Sequence, residues 1–237
     1  LFRSMANSNT VGYKDEKVAS QAFDQVLGIK IRDGSQAYHN ECIGSLSLGV
    51  KIGETYTDYS QGSVRQTGGT YDLALSGSGF FTVSVTDKAG EVHTRYTRDG
   101  RFHLTKDGLL VDADGNAVQG QNGNITIDPS SKNVSISATG QITADGELVD
   151  TLNIVDFEDY DYLKKYGDTM YEPVDGATTK DAEGEILQGY TEQSNVNVVR
   201  EMVDMITITR AYEASQKVIH SYDSMLDKSV NQVGALK

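Results

Sequence analysis

The chain has 237 residues and carries 21 Lys and Arg against 34 Asp and Glu, a formal net charge of −13. One or two domains fit that length, and an acidic chain without a basic run excludes nucleic acid and anionic membrane surfaces as partners, because phosphate affinity comes from Lys and Arg. No apolar stretch approaches the roughly 20 residues that span a bilayer, which excludes direct membrane insertion by a helix, and no charged start with a short apolar core marks a secretory signal.

In chain order, the first periodic segment runs from Asp15 to Leu27, where Val18, Ala22 and Val26 fall at i, i+4 and i+8 with Ala19, Phe23 and Leu27 beside them. That spacing, with Gly28 after it, predicts a short amphipathic helix. It places an N-terminal helical segment over residues 1–30 and an extended linker over 31–70.

From about Tyr71 to Tyr190 the pattern changes. The chain has 24 Gly and 2 Pro, and Asp-Gly pairs begin at Asp33, Asp99, Asp107, Asp114, Asp145 and Asp175, with Asn122-Gly123 of the same chemistry. Such pairs tolerate the positive φ angles of two-residue hairpin turns. Between them Phe81, Val83 and Val85 alternate, as do Ile125 and Ile127, Val134 and Ile136, and Leu152 and Ile154. Period-2 alternation between turns predicts an antiparallel β domain over residues 71–190. The fold class is therefore α+β, with helical segments at both ends of a β-rich centre.

Residues 191–237 read as one long helix. No Gly or Pro interrupts the chain between Asn197 and Gly234, room for a helix about 54 Å long at ~1.5 Å per residue. Asn197 is the expected N-cap and Gly234 the expected C′ residue. Stepping by seven from Val198 gives Met205, Tyr212, Ile219, Leu226 and Val233, all apolar. The intermediate positions Met202 and Val230 are apolar, whereas Thr209, Gln216 and Asp223 are polar. The repeat predicts a coiled-coil-like helix that packs against other helices, some of them from other chains, so that the N- and C-terminal helical segments form a coiled-coil-like core. The β-branched run from Ile206 to Thr209 is a mediocre helix former, so this helix needs partners for full order.

Nothing in the sequence supports an enzyme or a cofactor. Cys42 is alone, which excludes an internal disulfide and a cysteine-based metal cluster. Gly77-Ser78-Gly79-Phe80 lacks the third glycine and the following helix of a dinucleotide loop and reads as a loop entering a strand. Asp112-Ala113-Asp114-Gly115 would put Leu110 and Gln121 where a calcium loop needs carboxylates, and reads as a turn. His39, His93, His103 and His220 have no metal-ligand spacing, although His93 and His103 could face each other across a hairpin. The acidic aromatic stretch from Asp156 to Tyr162 reads as a solvated loop with aromatic anchors.

Several blocks resemble the flagellar rod and hook family of bacteria, most closely its rod proteins. Ala6-Asn7-Ser8-Asn9-Thr10-Val11-Gly12-Tyr13-Lys14 is similar to that family's N-terminal signature. Gln61–Gly68, Asp72–Leu75, Gly77–Phe81 and Tyr96–Phe102 follow in the family's order. Gln193–Val199, Glu201-Met202-Val203 and Thr209–Ala214 give the most specific match, and the Gln-Ser-Asn-Val-Asn-Val block leans towards the distal rod. The resemblance implies an axial subunit, exported unfolded by the flagellar type III apparatus and built outside the cytoplasmic membrane into a hollow helical tube that transmits torque. Its implied partners are further copies of itself, other rod subunits and the hook protein.

The resemblance also implies terminal helices in the core of the tube, with more helix ahead of Ala6 than Leu1 to Met5 supply. The candidate subunit-interface residues are Asn7, Asn9, Thr10 and Gly12 of the signature, with Val198, Met202, Met205, Tyr212, Ile219, Leu226 and Val233 of the helix. A competing reading is a monomeric surface- or cell-wall-binding β module on a helical stalk, which would expose an aromatic binding face and not assemble.

Overall fold

Local turn chemistry and long-range strand pairing share the work of building this chain. The structure, a computed structural model, describes residues 2–30, 41–87 and 90–233. Two units divide it: Leu1–Asp15 with Tyr59–Lys237, and Glu16–Asp58.

The smaller unit is made of strands where the i, i+4 pattern predicts a helix. β1 (Asp15–Ala22) pairs with β4 (Val50–Asp58), and β2 (Val26–Lys30) pairs antiparallel with β3 (Glu41–Leu46). Val18, Ala19 and Ala22 satisfy a period of 3.6 and also sit on a strand, so periodicity alone does not decide between the two. The backbone ladder offered by β4, which begins 28 residues after β1 ends, decides it. The expected linker likewise contains paired strands, β3, β4 and β5 (Val64–Gln66).

In the larger unit, α1 (Phe2–Ala6) precedes the signature turn. β6 (Leu73–Ser76) leads into β7 (Phe80–Thr86) and β8 (Val92–Thr97), which pair antiparallel from Phe81↔Thr97 to Thr86↔Val92. Ten described strands form one sheet around β7, which also pairs with Ala117–Gly120 and Ile154–Phe157.

Because side chains alternate along a strand, β7 divides two cores. Phe81 and Val83 join Leu73, Leu110, Ile125 and Ile142 on one face. Phe80 joins Phe157, Leu163 and Tyr171 on the other, where the Phe80 ring meets Tyr171 at 5.4 Å and Phe157 at 6.1 Å. β7 is buried from Phe80 to Ser84, yet beyond Phe80 its second face is polar, with Thr82 and Ser84 alternating with Phe81, Val83 and Val85.

The turns follow the Asp-Gly reading in part. Asp145-Gly146 joins Gln141–Ala144 to Glu147–Thr151 as a two-residue hairpin, with φ of 49° and 94°. Asp99-Gly100, expected to be a hairpin turn, instead carries an ion pair in which Arg101 grips the Asp99 carboxylate at 2.7 Å. Asp33 and His39 lie outside the described residues, as does Gly234. His93 and His103 sit opposite Val85 and Val111, not opposite each other.

α2 (Val198–Lys228) is one unbroken α-helix of 31 residues, about 46 Å long. Asn197 caps it, its side chain accepting the Arg200 N–H at 3.1 Å. A π-helical turn, Ser229–Val233, follows. No described helix is long and apolar enough to cross a membrane.

Candidate assembly surfaces

The N-terminal signature folds back onto the end of the β domain. The Asn7 amide donates to the Arg3 carbonyl at 3.2 Å and its Oδ1 accepts from the Thr10 hydroxyl at 2.9 Å, closing the turn after α1. Asn9 stays exposed. Gly12 has φ of +71°, and a Cβ there would lie 2.3 Å from the Asp99 nitrogen, so only glycine fits both the left-handed backbone and the close approach. Its N–H donates to the Glu192 carbonyl at 2.8 Å.

Tyr13 and Lys14 then enter the interior. Lys14 Nζ lies 2.6 Å from Glu192 Oε1 and donates to the Ser60 carbonyl at 2.8 Å. Arg98 Nη1 reaches Glu192 Oε2 at 3.2 Å, Arg98 Nη2 donates to the Gly77 carbonyl at 2.8 Å, and the Gly62 N–H donates to Glu192 Oε1 at 2.9 Å. Two cations and a backbone amide thus share one buried carboxylate. Such an arrangement persists only when further hydrogen bonds complete the desolvated groups.

Asn195 closes the same junction, accepting the Asp15 N–H at 2.8 Å and donating to the Ser60 carbonyl at 3.1 Å. Four blocks that are far apart in sequence therefore meet around Glu192. The junction fixes where α2 leaves the β domain.

α2 carries most of the expected interface residues. Val198 and Met205 are half-buried near its start, Glu201 is buried and Met202 is exposed. Every side chain from Ile206 to Asn231 is exposed, including Tyr212, Ile219 and Leu226. Val233 lies in the π turn, and its side chain is outside the description. Apolar residues off the seven-residue repeat are exposed as well, among them Val203, Ile208, Tyr222 and Met225. No coiled-coil packing is seen among the described residues, where α1 and α2 make only a small contact.

A second apolar surface escapes the sequence reading. In the Glu16–Asp58 unit, Val18, Leu46, Leu48, Val50, Ile52 and Tyr56 are all exposed. The alternation of Val50, Ile52 and Tyr56 was the available signal, hidden by the expectation of a linker. A two-stranded ribbon is at best marginally stable alone in water.

The acidic aromatic stretch, expected as a solvated loop, begins as a buried strand. The Asp156 carboxylate is fully buried, accepts the Tyr160 hydroxyl at 2.7 Å and pairs with Lys180 at 3.1 Å. Burial by itself raises the Asp156 carboxyl, yet its donors, led by Tyr160, hold it below its ordinary value. Burial and the Asp156 hydrogen bond push the Tyr160 phenol up to about 12. The Asp112 carboxylate accepts the Asp114 and Asn116 N–H groups at 2.9 and 2.8 Å, which makes that segment the expected turn.

Comparison with known proteins gives the same outline. Residues 187–233 match the family model described as the flagellar basal body rod FlgEFG protein C-terminal, and residues 74–144 match that of the flagellar hook protein FlgE/F/G D1 domain. The chain is 33% identical to the flagellar basal-body rod protein FlgG of Buchnera aphidicola subsp. Schizaphis graminum, over 96% of this chain and 90% of the relative. It is 35% identical to FlgG of Caulobacter vibrioides, over 95% and 89%. FlgF of the same organism is 32% identical over 100% and 91%.

Proposed function

This chain belongs to the flagellar basal-body rod protein family, and we propose that it polymerises with copies of itself into a hollow helical tube of the distal rod. It is a structural subunit of the flagellar basal body and not an enzyme. In the proposed assembly it sits outside the cytoplasmic membrane, arrives through the flagellar type III export apparatus and joins other rod subunits and the hook protein. The reading as a monomeric cell-wall-binding module gives way to this one.

The observation that carries the polymer is the exposed apolar length of α2. Isolated helices owe most of their stability to packing of an apolar face, and full burial of a Leu or Ile side chain contributes roughly 1.5–3 kcal/mol. Val198, Met202, Met205, Tyr212, Ile219, Leu226 and Val233 form subunit contacts in this proposal, with Asn7, Asn9 and Thr10 at the opposite end of the chain. Gly12 supports them from within, by seating the signature on Asp99.

Motility tests it. Leu226→Asp places a carboxylate in an apolar contact and should abolish the rod while leaving the β domain folded. Lys217→Glu, a charge exchange on an exposed position, should leave motility unchanged. A motile Leu226→Asp strain with normal rod and hook would sink the proposal.

A further inference from the structure

Asn122 is the one asparagine in the chain that is followed by glycine; Asn124, Asn133, Asn153, Asn195 and Asn197 all precede β-branched residues. The difference matters because a side-chain amide can be attacked by the backbone nitrogen that follows it, and only glycine leaves that nitrogen unshielded by a Cβ. Residues 121–124 are exposed and form the tip of a hairpin held by two pairs, Gln119↔Asn124 and Gly120↔Gly123. Gly123 has φ of +121°, and a Cβ built on it would meet nothing within 4 Å, so the space beside the attacking nitrogen is open. A pairing this short and exposed opens locally at small cost.

We infer that Asn122 is a site of spontaneous deamidation, and that Asp150 couples the change to the packing of the β domain. The Gly123 nitrogen bonds to the Asn122 Cγ as the Cγ–Nδ2 bond breaks, and Nδ2 leaves as ammonia with the proton that the Gly123 nitrogen gives up. Water then opens the cyclic imide. Addition at Cγ restores the backbone N–H and leaves aspartate; addition at the Asn122 main-chain carbonyl carbon leaves isoaspartate, whose chain runs on through Cβ and Cγ. Either way one amide and one water become one carboxylate and one ammonium ion, so the step needs no oxidant.

The amide that is lost has a structural task. Asn122 Nδ2 donates to Asp150 Oδ1 at 2.9 Å, and Asp150 is buried. Beside it the Gln121 N–H donates to the Thr151 carbonyl at 2.9 Å, and the Asn153 N–H donates to the Gln119 carbonyl at 3.1 Å. These bonds join the Ala117–Gly120 strand of the large sheet to the end of Glu147–Thr151, a strand of the three-stranded sheet. Deamidation removes the donor and sets a second carboxylate against the first. Like charges at that range raise the carboxyl of one partner or drive the two apart. The penalty is small in acid, where a protonated carboxyl still donates, and full above the carboxylate range.

Peptide mapping of the full chain, incubated at mildly alkaline pH, tests the site. The peptide that holds residues 121–124 should gain the mass difference between an amide and a carboxyl, divided between aspartate and isoaspartate, while peptides holding the other asparagines keep their mass. Asp-Gly pairs rearrange without a change of mass, so they do not confuse the reading. Asn122→Gln, whose longer side chain does not close the same ring readily, should keep its mass over the same interval. If Asn122 retains its amide in the folded chain while the urea-unfolded chain loses it, the fold shields the site and the proposal is overturned.

Melting tests the coupling. Asn122→Asp should lower the melting midpoint at neutral pH by roughly 2–4 °C, a shift expected of a modest loss in a domain of this size. The deficit should shrink as pH falls through the carboxylate range. Asn122→Asp combined with Asp150→Asn returns one amide and one carboxylate to the pair and should recover most of the midpoint. An Asn122→Asp chain that melts like the unsubstituted one at neutral pH, or an exchanged pair that recovers nothing, overturns the role of Asp150.

Discussion

The Lys14 ammonium lies 2.6 Å from the Glu192 carboxylate across 178 residues of sequence, and both side chains are only 1% exposed. With Arg98 on the other carboxylate oxygen, this contact ties the signature segment, the β domain and the lead-in to α2 into one unit. The family resemblance picks out Lys14 and Arg98, but not the residue that joins them.

Removing the shared carboxylate leaves two buried cations without an anion. Glu192→Gln should destabilise the larger unit by about 3–5 kcal/mol, the cost of breaking a buried pair from one side. Urea denaturation should show a lower midpoint, and Arg98→Met in the same background should recover part of the loss through coupling between neighbours. A shift within experimental error for Glu192→Gln would mean that both cations reach water when the carboxylate charge is gone.

The Asp156–Tyr160 pair makes stability depend on pH at both ends of the range. Tyr160 is raised to about 12 in the folded chain, from an ordinary 10.0. Between those values the unfolded chain loses the proton while the folded chain keeps it, so this contribution is complete below pH 10 and is lost as pH rises towards 12. Asp156 is lowered, so its contribution is present above the ordinary carboxylate value and is lost as pH falls through the folded one. Tyr160→Phe should flatten the alkaline fall in melting temperature between about pH 10 and 12, leaving the slope due to Tyr96, which burial also raises. The same variant should be less stable at neutral pH but less acid-sensitive, because without its leading donor the folded Asp156 carboxyl returns towards its ordinary value. An unchanged alkaline profile would rule out Tyr160 as its source.

Hydrogen exchange should divide the monomer sharply. Amides of β7, buried on both faces, should exchange slowly, and those of α2 beyond Ile206, exposed all round, quickly. On assembly the α2 amides should become protected while those of β7 change little. Strong protection of all of α2 in a verified monomer would show that the helix does not need partners.

Features that rest on neighbours along the chain were legible in the amino-acid sequence alone. Asn197 caps α2 because a side chain can reach an amide three residues on. The helix then runs to Lys228 because no Gly or Pro stops it, and Asp145-Gly146 turns because both residues accept positive φ. The family blocks were legible too, as ordered matches. Tertiary structure alone decided the remainder. Val18, Ala22 and Val26 fit a helix until β4 and β3 supply a ladder. Asp156 and Glu192 look like solvated carboxylates until strands and cations from distant segments enclose them. The apolar residues of α2 were in the sequence, but their exposure from Ile206 to Asn231 is a fact of packing. Local signals act within a few residues and can be read there. Burial and charge pairing depend on which distant segments meet, and that is settled only when the chain closes on itself.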